Sequence, residues 1–123
     1  MASGDTTFKH LSGGTDGKPI AVAATTTPGT TIHTPSTTSP DIEFVTLWAV
    51  NKNTASAIRT LTMEWGGTAA GQTWTIQLAP NRGMVLIADR LPITGAANLI
   101  RAYADVANEV LIQGRVVKSE EPT

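Results

Sequence analysis

The chain has 123 residues, enough for one domain that buries roughly two-thirds of its unfolded surface without staples. Charged residues make up only 15%, against a usual share of about 25%, and Thr, Gly and Ala take their place, a composition that suits strands facing another protein surface. The net charge of −1, with Arg59, Arg82, Arg90, Arg101 and Arg115 scattered among acids, leaves no basic patch for nucleic acid, and the absence of cysteine excludes disulfides.

Met1-Ala2-Ser3-Gly4-Asp5 has neither a basic stretch nor an apolar core, so no signal peptide is expected, and synthesis is placed in a cytoplasm. No apolar run approaches the ~20 residues that cross a bilayer, so no membrane partner is expected. Residues 1–40 are rich in Gly, Thr, Ser and Pro, and Thr25 to Pro40 is nearly low in complexity. Such a segment cannot bury enough apolar area by itself to offset its ordering entropy. Its isolated apolar residues Phe8, Leu11, Ile20 and Ile32 read either as anchors of an extended arm that orders against a partner or as parts of a floppy terminus with strand edges. One or two short strands, around Pro19–Ala24 and Ile32, are expected within it.

From Asp41 the pattern changes. Asp41–Val50 is apolar on both alternating sets, which predicts a strand covered on both faces. Arg59–Trp65 and Gln72–Leu78 alternate cleanly and predict a hairpin with Leu61, Met63, Trp65, Trp74, Ile76 and Leu78 on its apolar face. Met84–Ala88, Asn98–Ala104 and Asn108–Val117 complete a set of six strands, and no segment has a helical period. The expected fold is all-β, an antiparallel β-sandwich or jelly-roll-like barrel over residues 41–117, preceded by the 1–40 arm and followed by a polar tail at 118–123. Asp89–Ala97, with Leu91, Pro92 and Ile93, reads as an apolar loop available for contact.

Catalytic chemistry has little to draw on. The two histidines, His10 and His33, both fall in the N-terminal segment, where a rigid general base is out of place, and they read as solvent-facing or covering a neighbour. Glu43 and Glu64 lie on strands and would serve a hydrolase only as a carboxylate pair in a cleft; exposed, edge-protecting charges are the plainer expectation. No zinc or calcium ligand spacing occurs. Ser12-Gly13-Gly14-Thr15-Asp16-Gly17-Lys18 looks like a phosphate-binding loop but lacks the first glycine and the hydroxyl residue, which Ser12 and Pro19 replace. No catalytic residue, metal or cofactor is assigned. The reading is a structural or binding module, not an enzyme.

Binding is left to large side chains. Trp65 and Trp74 read as core, while Trp48 is a candidate interface anchor or sugar-stacking platform. Arg101 and Tyr103 share one face of their strand and are candidates for a subunit contact.

The pattern from Phe44 to Val117 resembles small virion structural proteins of tailed bacteriophages, especially those that decorate or cement the head. It runs through Leu47-Trp48-Ala49-Val50-Asn51, Leu61-Thr62-Met63-Glu64-Trp65-Gly66-Gly67-Thr68 and Gly83-Met84-Val85-Leu86-Ile87. It continues in Ile100-Arg101-Ala102-Tyr103-Ala104 and Ile112-Gln113-Gly114-Arg115-Val116, and Gly17-Lys18-Pro19-Ile20-Ala21-Val22-Ala23-Ala24 and Ile32-His33-Thr34 are similar to the same proteins. The resemblance implies a β-sandwich on the outer surface of the virion head, commonly a homotrimer, with the major capsid protein as partner. Two other readings remain open beside it: a tail-fibre or spike module that binds carbohydrate or a receptor, and a head-tail connector component.

Overall fold

The computed structural model describes residues 6–37 and 41–119. The opening pentapeptide, residues 38–40 and the tail at 120–123 lie outside the described residues. Among the described residues nine strands are formed: β1 (Thr6–His10), β2 (Ile20–Ala21), β3 (Thr30–His33), β4 (Ile42–Asn51), β5 (Arg59–Trp65), β6 (Thr73–Leu78), β7 (Val85–Ile93), β8 (Ile100–Ala104) and β9 (Val110–Ser119). They make two antiparallel sheets packed face to face, a β-sandwich. The first runs β1-β9-β4-β7, with β2 also on β9, and the second runs β3-β8-β5-β6. A single 3-10 turn, Ala70–Gln72, is the helical element among the described residues.

The six strands expected after Asp41 are all present, because each carries a local signal, either a clean alternation or a short apolar run bounded by turn residues. The hairpin pairs Leu61 with Ile76 and Met63 with Trp74, which places the expected side chains on one face. Trp65 and Trp74 stack at 5.6 Å between ring centres. β8 is buried at Ile100, Ala102 and Ala104 and half-buried at Arg101 and Tyr103, again by alternation. β4 and β9 pair without interruption from Ile42 with Ser119 to Asn51 with Val110. Their approach is close at Gly114, where a Cβ would run into the Thr46 carbonyl.

Three expectations are corrected. The described part of the N-terminal segment is not an arm. β1 and β2 pair with β9, β3 pairs with β8, and Leu11, Ile20, Val22 and Ile32 are buried in the chain's own core. The low apolar content did not prevent this, because the segment adds to a core supplied by residues 41–119 and its backbone is satisfied by existing sheet edges. The Gly13 amide donates to the Ile32 carbonyl at 2.9 Å and the Val22 amide to the Val110 carbonyl at 2.9 Å. Second, the supposed contact loop begins as strand: β7 continues through Leu91-Pro92-Ile93, paired with Val45, Phe44 and Glu43. Pro92 is compatible because β7 is an edge strand. A bulge, two residues against one, hides the continuity: Asp89 and Arg90 stand opposite Thr46, and Arg90 takes φ 52°. Third, β9 runs to Ser119, past the expected start of the tail.

The sandwich has a polar plug at each end of β4. Asn51, buried, donates through Nδ2 to the carbonyls of Ala57 at 2.9 Å and Leu78 at 2.8 Å, tying the first sheet to the segment that leads into β5 and to the end of β6. At the other end sits Glu43, in phase with Val45, Leu47 and Ala49 and therefore facing the inside.

Candidate interaction surface

Phe44, Thr46, Trp48 and Val50 lie on the face of β4 turned away from the core. Strand register extends this face across the sheet. Phe44 stands between Val117 and Pro92, and Val117 in turn stands beside Phe8, giving an apolar row across four strands. Trp48 stands between Gln113 and Leu86, and Val50 beside Leu111, giving a second apolar zone. Between them runs His10, Arg115 and Thr46. Phe8 is 78% exposed and Leu86 51%. A sheet face in water is ordinarily polar, so this apolar face is the most conspicuous feature of the surface. The two-sided cover expected for β4 is thus supplied on one side only by the chain itself.

The bulge shapes this face. The Arg90 amide donates to Thr46 Oγ1 at 3.1 Å, which satisfies the one hydroxyl buried there, and the departing β7 leaves a cleft of about 470 Å³ lined by Phe44, Asp89, Arg90 and Val117. A smaller cleft of about 270 Å³ lies between Phe8, Lys9, His10 and Arg115. Arg115 makes no ion pair among the described residues, and Arg90 has only its neighbour Asp89, at 3.6 Å. The face thus offers large apolar groups around two guanidinium groups, that of Arg115 and that of Arg90 beside Asp89. That arrangement fits an apolar protein surface carrying carboxylates.

The sequence-derived candidates separate into four groups. Phe8 and Trp48 are brought onto this one face. Leu11, Ile20 and Ile32 are core residues and present nothing to a partner. Leu91 and Ile93 lean inward on the core from β7. Arg101 and Tyr103 lie on the outer face of the other sheet, beside Glu64 and Thr62. Sequence reasoning missed Phe44, Leu86, Val117 and Arg115. Their signal was present in the double apolar alternation of β4, but naming its neighbours requires the register.

Two buried acids were also misjudged, and neither is an exposed edge charge. Glu43, fully buried, accepts from Lys9 Nζ at 2.7 Å and the Ser36 amide at 3.1 Å through Oε2, and meets His33 Nε2 at 2.5 Å through Oε1. Burial pushes its pKa up, but the hydrogen bonds from Lys9 and His33 outweigh this and hold it below the ordinary 4.5. His33, also fully buried, accepts from the Ser12 amide at Nδ1 at 3.1 Å. Desolvation lowers its pKa below 6.5, against the raising effect of Glu43. With Nδ1 accepting, Nε2 carries the proton, a tautomer fixed by the network. No lone pair of this imidazole is left for a substrate, and the arrangement ties sheets together. Glu64 sits on the outer face of the second sheet, under the Thr27–Gly29 loop. Thr27 Oγ1 donates to it at 2.6 Å and the Gly29 amide at 2.7 Å. The two carboxylates lie in separate networks, on different sheets, and do not form a pair in a cleft.

Among the described residues no cluster of three or more His, Asp or Glu is placed to hold a metal ion, and no helix is long and apolar enough to cross a membrane. Comparison with protein-family models, curated proteins and solved structures finds no match.

Proposed function

We propose that this protein is a non-enzymatic decoration, or cement, protein of a phage head, seated on the major capsid protein through the outer face of the β1-β9-β4-β7 sheet. The carrying observation is the apolar row Phe8, Val117, Phe44 and Pro92, with Trp48 and Leu86 beside it, on a sheet face that water would otherwise favour as polar. Arg90 and Arg115 add charge that favours an acidic partner surface and disfavours direct pairing of two such faces. Many copies, arranged as homotrimers on the virion surface in keeping with the sequence resemblance, would raise shell stability by mass action and avidity.

The test is removal and add-back. Heads stripped of the protein should rupture at lower temperature and under milder osmotic shock, and purified protein should restore both. A Phe44→Asp, Trp48→Asp variant should not restore them. Equal resistance of stripped and intact heads sinks the proposal.

A second reading, a carbohydrate- or receptor-binding module of a tail fibre or spike, is favoured by one observation: Trp48 is only half-buried, on an outward face. Glycan-array binding lost in Trp48→Ala, with head binding absent, would select it.

A further inference from the structure

The two sides of the sandwich are sealed very differently. Along the β1, β2 and β3 side, the apolar residues Leu11, Ile20, Val22 and Ile32 are 5, 7, 0 and 0% exposed. Along the opposite side the edges are β6 and β7, and of the six partly buried apolar residues packed on the core, Trp74, Ile76, Ile87, Leu91 and Ile93 lie on these two strands and Trp65 on the neighbouring β5. Trp65 Nε1 donates to the Pro92 carbonyl at 3.2 Å across one end of this opening. Beside it lies a cleft of about 310 Å³ lined by Trp65, Trp74, Leu91 and Pro92 with the uncharged Gly71, Gln72 and Thr73.

The edges themselves also differ. β7 is protected by Pro92 and by its bulge, two common guards against pairing with a further strand. β6 has no proline, no charge and no register break, and among the described residues it pairs with β5 alone. A regular, unguarded edge beside an incompletely covered apolar interior is what strand addition requires.

We infer that this side is a strand-acceptor site: an extended, uncharged segment of another protein pairs with the edge of β6 and lays alternate apolar side chains between Trp74 and Ile76 on one sheet and Ile87 and Leu91 on the other. Alternation delivers every second side chain inward, where the opening lies. The cleft lining carries no charge to receive a charged segment. The chain's residues outside the described part read Met1-Ala2-Ser3-Gly4-Asp5, Thr38-Ser39-Pro40 and Glu120-Glu121-Pro122-Thr123, none of them an alternating apolar run. A second copy could offer its own β6, but Leu78 of that strand is already 2% exposed in its own core, so the opening would stay unfilled. The inference is independent of any role on a phage head.

The test uses the full chain in a Trp48→Phe background and a panel of capped peptides of six residues, the length of β6. Each carries Thr at odd and Val, Ile or Phe at even positions. Binding should blue-shift the emission of Trp65 and Trp74 and slow hydrogen exchange of the Thr73–Leu78 amides by about tenfold or more. N-methylation of alternate peptide amides should weaken binding by about tenfold or more, since it removes the edge hydrogen bonds without touching the protein. No response to any peptide at millimolar concentration overturns the inference. So does equal binding by the N-methylated peptides, or a response confined to the Phe44 and Trp48 face.

Discussion

His33 and Glu43 face each other from opposite sheets, and neither has exposed surface. The imidazole hangs from β3 and receives the Ser12 amide on one nitrogen, while the carboxylate hangs from β4 and also receives Lys9 from β1. One hydrogen-bonded unit therefore clasps β1 and β3 to the centre of the sandwich. Protonating Nδ1 would set two donors against each other at Ser12.

The pH dependence follows from this pair. Both groups titrate lower in the folded chain than in the unfolded one. The unfolded state therefore binds more protons as pH falls, and stability falls with it. The His33 contribution is complete above pH 6.5 and is lost as pH descends toward its lowered folded pKa. The Glu43 contribution is complete above pH 4.5 and is lost further down. Around the pair the charged groups are Lys9, and Asp41 with Lys118 at 3.6 Å beyond it. Urea midpoints should be flat from pH 8 to about 6.5 and then decline. His33→Gln should be less stable than the native chain at pH 8 and should remove the upper part of the decline. A midpoint that rises on acidification through this range contradicts the assignment.

Removing the buried Glu43 carboxylate leaves the His33 Nε2 proton and the Ser36 amide without their acceptor and the part-exposed Lys9 without its partner. Glu43→Ala should cost roughly 3–5 kcal/mol in urea unfolding, with faster hydrogen exchange in β1 and β3. Glu64→Gln should cost less, about 1–3 kcal/mol, because one of the two donors from Thr27 and Gly29 keeps an acceptor.

Ile32 separates an arm from a core. It is fully buried, so Ile32→Ala should cost about 2–5 kcal/mol by chemical denaturation. A segment ordered only by a partner would show no cost in the isolated chain.

Two glycines offer a contrast. A Cβ at Gly114 runs into the Thr46 carbonyl and reaches Leu47 Cδ2 at 2.9 Å, so Gly114→Ala must part β9 from β4. Its expected cost is about 1–3 kcal/mol. At Gly71 a Cβ meets nothing within 4 Å, and Gly71→Ala should stay within about 0.5 kcal/mol of the native chain. Thermal unfolding of the two variants side by side checks both.

The interaction face should be separable from the fold. Phe8→Ser removes a side chain that is 78% exposed, so its unfolding free energy should stay within about 0.5 kcal/mol of the native value. Its binding to the proposed capsid partner should weaken by at least about tenfold, as for an interface anchor, by sedimentation with stripped heads.

By itself the sequence determined the strands from Asp41 onward and the class of fold, because alternation along a strand is a local property that reports which side chains are hidden. It marked β4 as apolar on both sides, and with it the hint of an outward apolar surface. Only the tertiary structure decided what those signals meant. Leu11, Ile20 and Ile32 read as anchors for a partner because the area that receives them is contributed by distant strands. Glu43 and His33 read as a surface charge and a loose histidine because their neutralisation comes from Lys9, Ser12 and Ser36, brought together by pairing across the chain. Burial and register are non-local quantities, and composition averaged over a window has no access to them.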